Sequence, residues 1–353
     1  MGVNHESRFS HLFGVRHPII QAPMAGATTP ELAAAVSNSN ALGSLGLGSS
    51  SVDQARHQIR TLRQLTDKPF NVNFFCHQPP RTQENKVQAW IQHLRPYFEA
   101  NDADAPSTLE SIYPPIDAND AMVAMINAEQ PHVVSFHFGV PKADIIRSIQ
   151  AYGGRVLVSV TTLQEGYAAE ASGVDAVIAQ GIEAGGHRGC FDAQKDEAIG
   201  LTSLLQVLVS HLNIPVIAAG GIMDGRGING TLALGALGAQ LGTAFLLCPE
   251  SNTGSEHRAL LKSDAAVSTS VTRAISGRPA RGITGVFQRQ IEPTDMDRIP
   301  DYPIAYDAAR QLNTAAKSNN NLAFSPNWAG QSAIMCRELP ASELVSQLVN
   351  EMT

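Results

Sequence analysis

A histidine inside a glycine-rich run is the first place in this chain where chemistry could occur. The run is Gln180-Gly181-Ile182-Glu183-Ala184-Gly185-Gly186-His187-Arg188-Gly189, and it follows Ala176-Val177-Ile178-Ala179, an apolar stretch that reads as a buried strand. Imidazole exchanges a proton near neutral pH more readily than any other side chain. Glycine lets the backbone approach a ligand closely. At the C-terminal end of a barrel strand, that combination sits where catalytic groups collect. The bland alternative is a strand-to-helix turn whose histidine is structural. Cys190, three residues after His187, adds a Cys–His nucleophile as an option. Against it stands the ordinary use of small thiols as core filler. The four cysteines, Cys76, Cys190, Cys248 and Cys336, are scattered without metal-ligand spacing, so no metal site is expected.

A second candidate is built of backbone. Ala219-Gly220-Gly221-Ile222 closes one apolar run, and Gln240-Leu241-Gly242-Thr243 falls within the next. Glycine turns expose N–H groups, and a following helix adds the positive end of its dipole. In barrels of repeated strand and helix, the loops after strands seven and eight often hold a phosphate this way. The residues alone leave open whether that phosphate belongs to a substrate, FMN or a nucleotide. Glycines that merely turn the chain are the competing explanation.

The elements that must position these groups are eight apolar, β-branched runs. They are read at 18–24, 41–46, 70–75, 132–138, 156–160, 176–179, 215–219 and 239–246. Continuous apolar runs suit strands buried on both faces. Thr29-Pro30-Glu31 opens a helix after the first run, with Thr29 as N-cap and Pro30 in the first turn. The later runs leave room for one helix each, the rhythm of a TIM-like (β/α)8 barrel. A doubly wound open sheet fits nearly as well, but the first run lacks the glycine fingerprint of its dinucleotide-binding form. Two segments break the rhythm. Residues 78–130 hold more than one helix requires and include Tyr113-Pro114-Pro115, expected as a loop at the barrel mouth. Beyond residue 250 the barrel pattern stops. The expected division is therefore a barrel over 1–250 with an insertion at 78–130, then a smaller C-terminal cap and closing helices over 251–353.

Composition sets outer limits. Of 353 residues, 43% are hydrophobic and 16% charged, enough for a large core. The net charge of -7 argues against nucleic-acid partners and anionic membranes. No stretch reads as a membrane span. Met1–Arg8 shows neither a signal-peptide core nor, with Gly2 and Ser7, the myristoylation pattern. A cytoplasmic location is expected, consistent with unpaired thiols.

Taken together, these segments resemble the nitronate monooxygenase family, once called 2-nitropropane dioxygenases, of the class I type. The matching residues are Gln21-Ala22-Pro23-Met24-Ala25-Gly26, Phe70-Asn71-Val72-Asn73-Phe74, Ser135-Phe136-His137-Phe138-Gly139, the 180–189 run, Ala218-Ala219-Gly220-Gly221-Ile222 and Gln240-Leu241-Gly242-Thr243. Tyr302-Pro303-Ile304-Ala305-Tyr306-Asp307 and Trp328-Ala329-Gly330-Gln331 extend the likeness over most of the chain. The barrel motifs are shared with flavin-dependent enoyl-ACP reductases; the His137 motif and the tyrosine pair point to the nitronate oxidisers.

The resemblance implies non-covalent FMN and oxidation by O2 without a nicotinamide. It places Ala22, Pro23 and Met24 along the flavin ring, and Asn71 and Gln180 at its polar edge and ribityl chain. It places Gly185, Gly221, Gln240, Leu241, Gly242 and Thr243 around the phosphate, with Gly330 and Gln331 closing over the cofactor. His187 is then the base or proton-managing residue, able also to stabilise an anion by charge. Tyr113, His137, Tyr302 and Tyr306 become a substrate pocket, with Arg310 standing where many members of the family carry lysine. The implied partners are a small nitronate, such as propionate 3-nitronate, and O2, with a homodimer left open; nitrite or nitrate and a carbonyl compound are the products. Two other readings remain: an FMN-dependent NAD(P)H oxidoreductase such as an enoyl-ACP reductase, and a phosphate-ligand-binding barrel without turnover.

Overall fold

Strand Phe70–Phe75 shows how the sequence builds the site. In Phe-Asn-Val-Asn-Phe-Phe, side chains alternate between the two faces of the strand. Phe70, Val72 and Phe74 join the layer between strands and helices, while Asn71 and Asn73 turn to the interior. The same alternation repeats around a closed barrel. The computed structural model, which describes residues 5–81 and 83–352, has eight parallel strands. They are β1 (Ile19–Gln21), β2 (Gly43–Gly46), β3 (Phe70–Phe75), β4 (Val133–His137), β5 (Arg155–Val160), β6 (Ala176–Gln180), β8 (Val216–Ala219) and β9 (Gly238–Leu241). Each pairs with its neighbour in chain order, β9 pairs with β1, and a bridge from Ile20 to Leu42 closes the ring. Met1–Asn4, read above as part of a leaderless N-terminus, lie outside the described residues.

Helices α2 (Pro30–Asn38), α3 (Val52–Leu65), α5 (Asp120–Glu129), α6 (Ala143–Ala151), α7 (Leu163–Ala171), α8 (Leu201–His211) and α9 (Gly225–Ala233) fill the strand-to-strand connections. Thr29 caps α2, accepting from the Leu32 N–H, with Pro30 in the first turn. The ring of helices is completed by α12 (Ala341–Glu351), whose Leu344, Val345 and Leu348 enter the main core. So part of the segment read as cap and closing helices belongs to the barrel wall. Inside, the floor is apolar: Leu42, Leu157, Ile178 and Ile217 pack under Phe9 and Phe13 of α1 (His5–Phe13). The polar inward residues, Asn73, His137, Ser159 and Gln180, sit at the opposite, C-terminal end.

Two strands end earlier than their sequence runs. The first run leaves the sheet after Gln21, because Pro23 has no N–H to give to a ladder. The eighth stops at Leu241, and Thr243–Phe245 turn into a 3-10 helix. Both departures deliver backbone to the barrel mouth.

The rhythm-breaking segments pack on each other. Helix α4 (Glu84–Glu99), from the 78–130 insertion, presents Trp90, Leu94 and Phe98 to Ala305, Ala308 and Leu312 of α11 (Ile304–Ser318). Ile275, Phe287 and Phe324 complete this second core. The cap also contains α10 (Ser255–Leu261) and an antiparallel sheet of β10 (Thr269–Thr272), β11 (Ala280–Ile283) and β7 (Gly186–His187). Because β7 lies in the loop after β6, the glycine–histidine run is itself the edge of the cap sheet, His187 opposite Ala280.

Candidate active site

At the C-terminal mouth lies a cavity of about 370 Å3, within the range of cofactor and ligand sites, roughly 300–1,000 Å3. One wall is backbone. Gly220 and Gly221 have φ of 128° and 68°, values that other residues adopt only with strain. Gly185 and Gly330 lie so close that a Cβ on Gly185 would stand 2.5 Å from the Gly330 nitrogen. The Gly330 N–H donates to Thr243 Oγ1 at 3.0 Å, joining the C-terminal segment to the end of β9. Ala22, Pro23, Met24, Gln240, Leu241 and Gly242 continue this wall.

The opposite wall is aromatic. Tyr302 precedes α11 and Tyr306 is in its first turn, and their ring centroids lie 6.5 Å apart. Tyr113 arrives on the insertion loop, which is fastened to α11 where the Glu110 N–H donates to Asp307 Oδ2 at 3.0 Å. Phe138 and Trp328 complete the wall, the Trp328 ring centroid 5.2 Å from that of His187.

His187 faces the cavity between the two walls. Its Nε2 lies 2.8 Å from Ser276 Oγ, and that hydroxyl is 3.3 Å from both the N–H and the carbonyl of Arg278. The arrangement satisfies every group if Nε2–H donates to Ser276 and the hydroxyl donates to the Arg278 carbonyl, which leaves Nδ1 with the lone pair. The His187 carbonyl accepts from Gln180 Nε2 at 3.0 Å and from His137 Nε2 at 3.1 Å. Burial, His137 and the Arg278 cation hold the His187 pKa down at about 3. His137 is held at about 4, chiefly by burial. Both values lie well below the ordinary histidine range, which favours neutral rings at pH 7 and leaves His187 able to accept a proton.

The loop is braced beneath the histidine. Arg188 is fully buried; it pairs with Asp196 at 2.9 Å and donates to the Gln180 and Gly181 carbonyls. Gln180 Oε1 in turn accepts from the Gly189 N–H at 2.7 Å. Glu183 takes no part in the chemistry: its carboxylate accepts from the Leu201 N–H and caps α8. Cys190 is no nucleophile. Burial raises its pKa to about 11, its sulfur points at the Arg188 carbonyl, and it does not line the cavity.

Of the residues expected at the site, three lie elsewhere. Asn71 is one inward layer below the mouth, donating to Ser44 Oγ; Asn73, two residues nearer the strand end, lines the cavity instead. Gln331 is exposed and uses its N–H on the Glu183 carbonyl. Arg310, one helical turn past Tyr306 on α11, is exposed and is not among the residues lining the cavity. Arg281 donates to the Ile182 and Thr269 carbonyls and splints the loop to the cap. Ser276, Phe138, Trp328 and Arg188 were not singled out from sequence. Arg188 beside His187, Phe138 beside His137 and Trp328 in the 328–331 run stood within the motifs, whereas Ser276 carried no local signal. Among the described residues there is no cluster fit to hold a metal, and no helix is long and apolar enough to cross a membrane.

Residues 6–351 match the family model described as nitronate monooxygenase. The chain is 48% identical to a nitronate monooxygenase of Pseudomonas aeruginosa over 346 residues, 98% of this chain and 99% of that protein. The crystal structure of nitroalkane oxidase from Streptomyces ansochromogenes is similar at a TM-score of 0.88 and 39% identity, covering 98% of this chain and 97% of that one. FabK from Thermotoga maritima is more distant, at a TM-score of 0.74 and 30% identity over 98% and 95% of the two chains.

Proposed function

The chain belongs to the nitronate monooxygenase family, an enzyme family that oxidises nitronates, and from that premise we propose that it uses FMN and O2 to convert small alkyl nitronates to a carbonyl compound and nitrite or nitrate. Propionate 3-nitronate is the type of substrate we expect. The observation that carries this reading is the division of one cavity into a glycine backbone wall and an aromatic wall, with a neutral histidine between them.

The residues present suit FMN. Gln240 Oε1 is buried at the cavity without a hydrogen-bond partner, an acceptor awaiting a ligand N–H. Gly185, Gly221 and Gly242 line the cavity with backbone, and at Gly242 a Cβ would meet only ordinary contacts and take up cavity space, in keeping with a phosphate held by N–H groups. Ala22, Pro23 and Met24 offer an apolar face for a flat ring, while Asn73 and Gln180 supply polar contacts. Bound FMN supplies the electron acceptor and the reactivity toward O2. The protein's own part is to orient and to manage a proton. The tyrosine hydroxyls can donate to the nitronate oxygens without fixing the charge in a salt bridge. His187, with Nδ1 unprotonated, can accept the α-proton of a neutral nitroalkane; a nitronate, already deprotonated, does not need that step.

The test is oxygen uptake by purified holoenzyme with propionate 3-nitronate and no nicotinamide. Rapid uptake with nitrite or nitrate formation supports the reading. Absence of uptake, with NADH or NADPH bleaching the flavin instead, would replace it with the NAD(P)H oxidoreductase.

A further inference from the structure

We propose that Arg278 is the charge that makes this site select anions: a buried, unpaired guanidinium standing behind the Phe138 wall of a cavity that carries no charged side chain of its own. The inference rests on nitronate oxidation at this site and names what gives the site its preference.

The cavity lining contains no Lys, Arg, Asp or Glu among the described residues. An anionic substrate entering it gives up solvation, and neutral hydroxyls replace only part of that loss. Arg278 supplies the missing charge. It is 4% exposed, and among the described residues no carboxylate forms an ion pair with it. Its Nη2 donates to the Cys190 carbonyl, and its Nε has no partner at all. Arginine stays protonated even where burial lowers its pKa. Buried charges are normally paired, so a lone buried cation beside a ligand cavity implies an anion that arrives with the ligand.

Phe138 carries the geometry. The guanidinium carbon lies 4.3 Å from its ring centroid, a cation–π contact. Phe138 also lines the cavity, near Tyr302 at 5.3 Å and His187 at 5.7 Å between centroids. Phe138 has φ of 76°, a left-handed conformation costly for a bulky residue and characteristic of positions fixed for function. Phe138 thus touches both the cation and the cavity. Arg281 and Arg310 do not share this placement: one is used up on backbone carbonyls, the other is exposed.

From these contacts the guanidinium lies at most about 10 Å from the His187 ring. Coulomb's law at about 10 Å with an effective dielectric of about 20 gives roughly a tenfold effect per substrate charge. The experiment compares KM in holoenzyme for nitroethane, ethyl nitronate and propionate 3-nitronate, which carry zero, one and two negative charges. For Arg278→Met we expect KM nearly unchanged for the neutral compound, raised roughly tenfold for the monoanion and further for the dianion. Arg278→Lys should restore most of the preference. A uniform change across the three substrates, or none, overturns the proposal. Wild-type enzyme inactive on all three would refute the functional reading instead. In that case, or if Arg278→Met does not fold, nitrate and nitromethane are titrated into wild-type protein, with Trp328 fluorescence as the signal. Preference for nitrate of tenfold or more supports the charge; equal binding of anion and neutral isostere overturns it.

Discussion

Removing the Ser276 hydroxyl tests whether the orientation of His187, rather than its mere presence, governs proton abstraction. Ser276 is fully buried and does not line the cavity, so Ser276→Ala leaves the ligand's surroundings intact. It deletes the 2.8 Å bond to Nε2 and leaves a partly buried ring N–H unpaired. An unsatisfied buried donor costs about 1–3 kcal/mol. The imidazole can recover some of that by moving its proton to Nδ1 or by turning, and either change removes the lone pair from the cavity side. About 1.4 kcal/mol corresponds to a tenfold change, so kcat on neutral nitroethane should fall about tenfold. Ethyl nitronate needs no abstraction, and its kcat should stay within about threefold. The assay is initial oxygen uptake with freshly dissolved nitroethane and with pre-ionised nitronate at one pH. Ser276→Thr keeps a hydroxyl and should recover most of the nitroethane rate. Equal losses on the two substrates, or a threonine variant no better than alanine, would refute the orienting role.

His187→Ala should retain yellow cofactor, lose about a hundredfold or more in kcat on nitroethane and lose less on nitronates, read by flavin absorbance and oxygen uptake. Gly185→Ala should lower FMN content and the melting temperature together, because the new Cβ meets backbone at 2.5 Å that cannot move without shifting the 329–330 segment; overpacking of this kind costs about 1–3 kcal/mol, and a variant with full flavin occupancy would contradict the close-packed cradle. Stability should also depend on pH in a defined window. His187 at about 3, and His137 and His77 at about 4, are all depressed below the ordinary 6.5. Below pH 6.5 the unfolded chain therefore takes up protons that the folded one refuses, and stability falls as pH drops toward those folded values. By pH 5 each such histidine removes up to about 2 kcal/mol. Urea midpoints that stay flat between pH 7.5 and 5 would show that these rings are not held neutral.

Alternation along the strands explains how much of this was legible in the sequence. Residues 70–75 read as a buried strand, and the structure has it at Phe70–Phe75, its alternation turning Asn71 and Asn73 inward. The same period placed Asn71 and Asn73 on one face, but only depth in the barrel decides which reaches the mouth, and depth depends on the register with β2 and β4. The glycine pairs were legible because their backbone geometry is local. Ser276 was not, since its partner lies 89 residues away and only the cap sheet brings them together. Phe138 stands in the His137 motif, but an aromatic after a strand reads as core, and nothing in its neighbours foretells a positive φ. Arg310 lies one helical turn past Tyr306, yet its side chain is exposed, which its place in the motif does not foretell.

The placement of β7 bears on how such a barrel acquires a particular reaction. The cradle of Gly185, Gly221, Gly242 and Gly330 is almost entirely backbone and belongs to the loops after β6, β8 and β9 together with the C-terminal segment. The tyrosines, Phe138's covering arginine and the serine that orients His187 belong to the insertion and the cap. His187 is where the two meet, because its backbone is both the continuation of a barrel strand and the edge of the cap sheet. A change in the cap therefore alters the tautomer, charge environment and aromatic surroundings of the histidine without touching the cradle. That separates what is bound from what is done to it. Substitutions in β10 and β11 should consequently shift substrate preference more than cofactor affinity, whereas substitutions in the glycine turns should do the reverse.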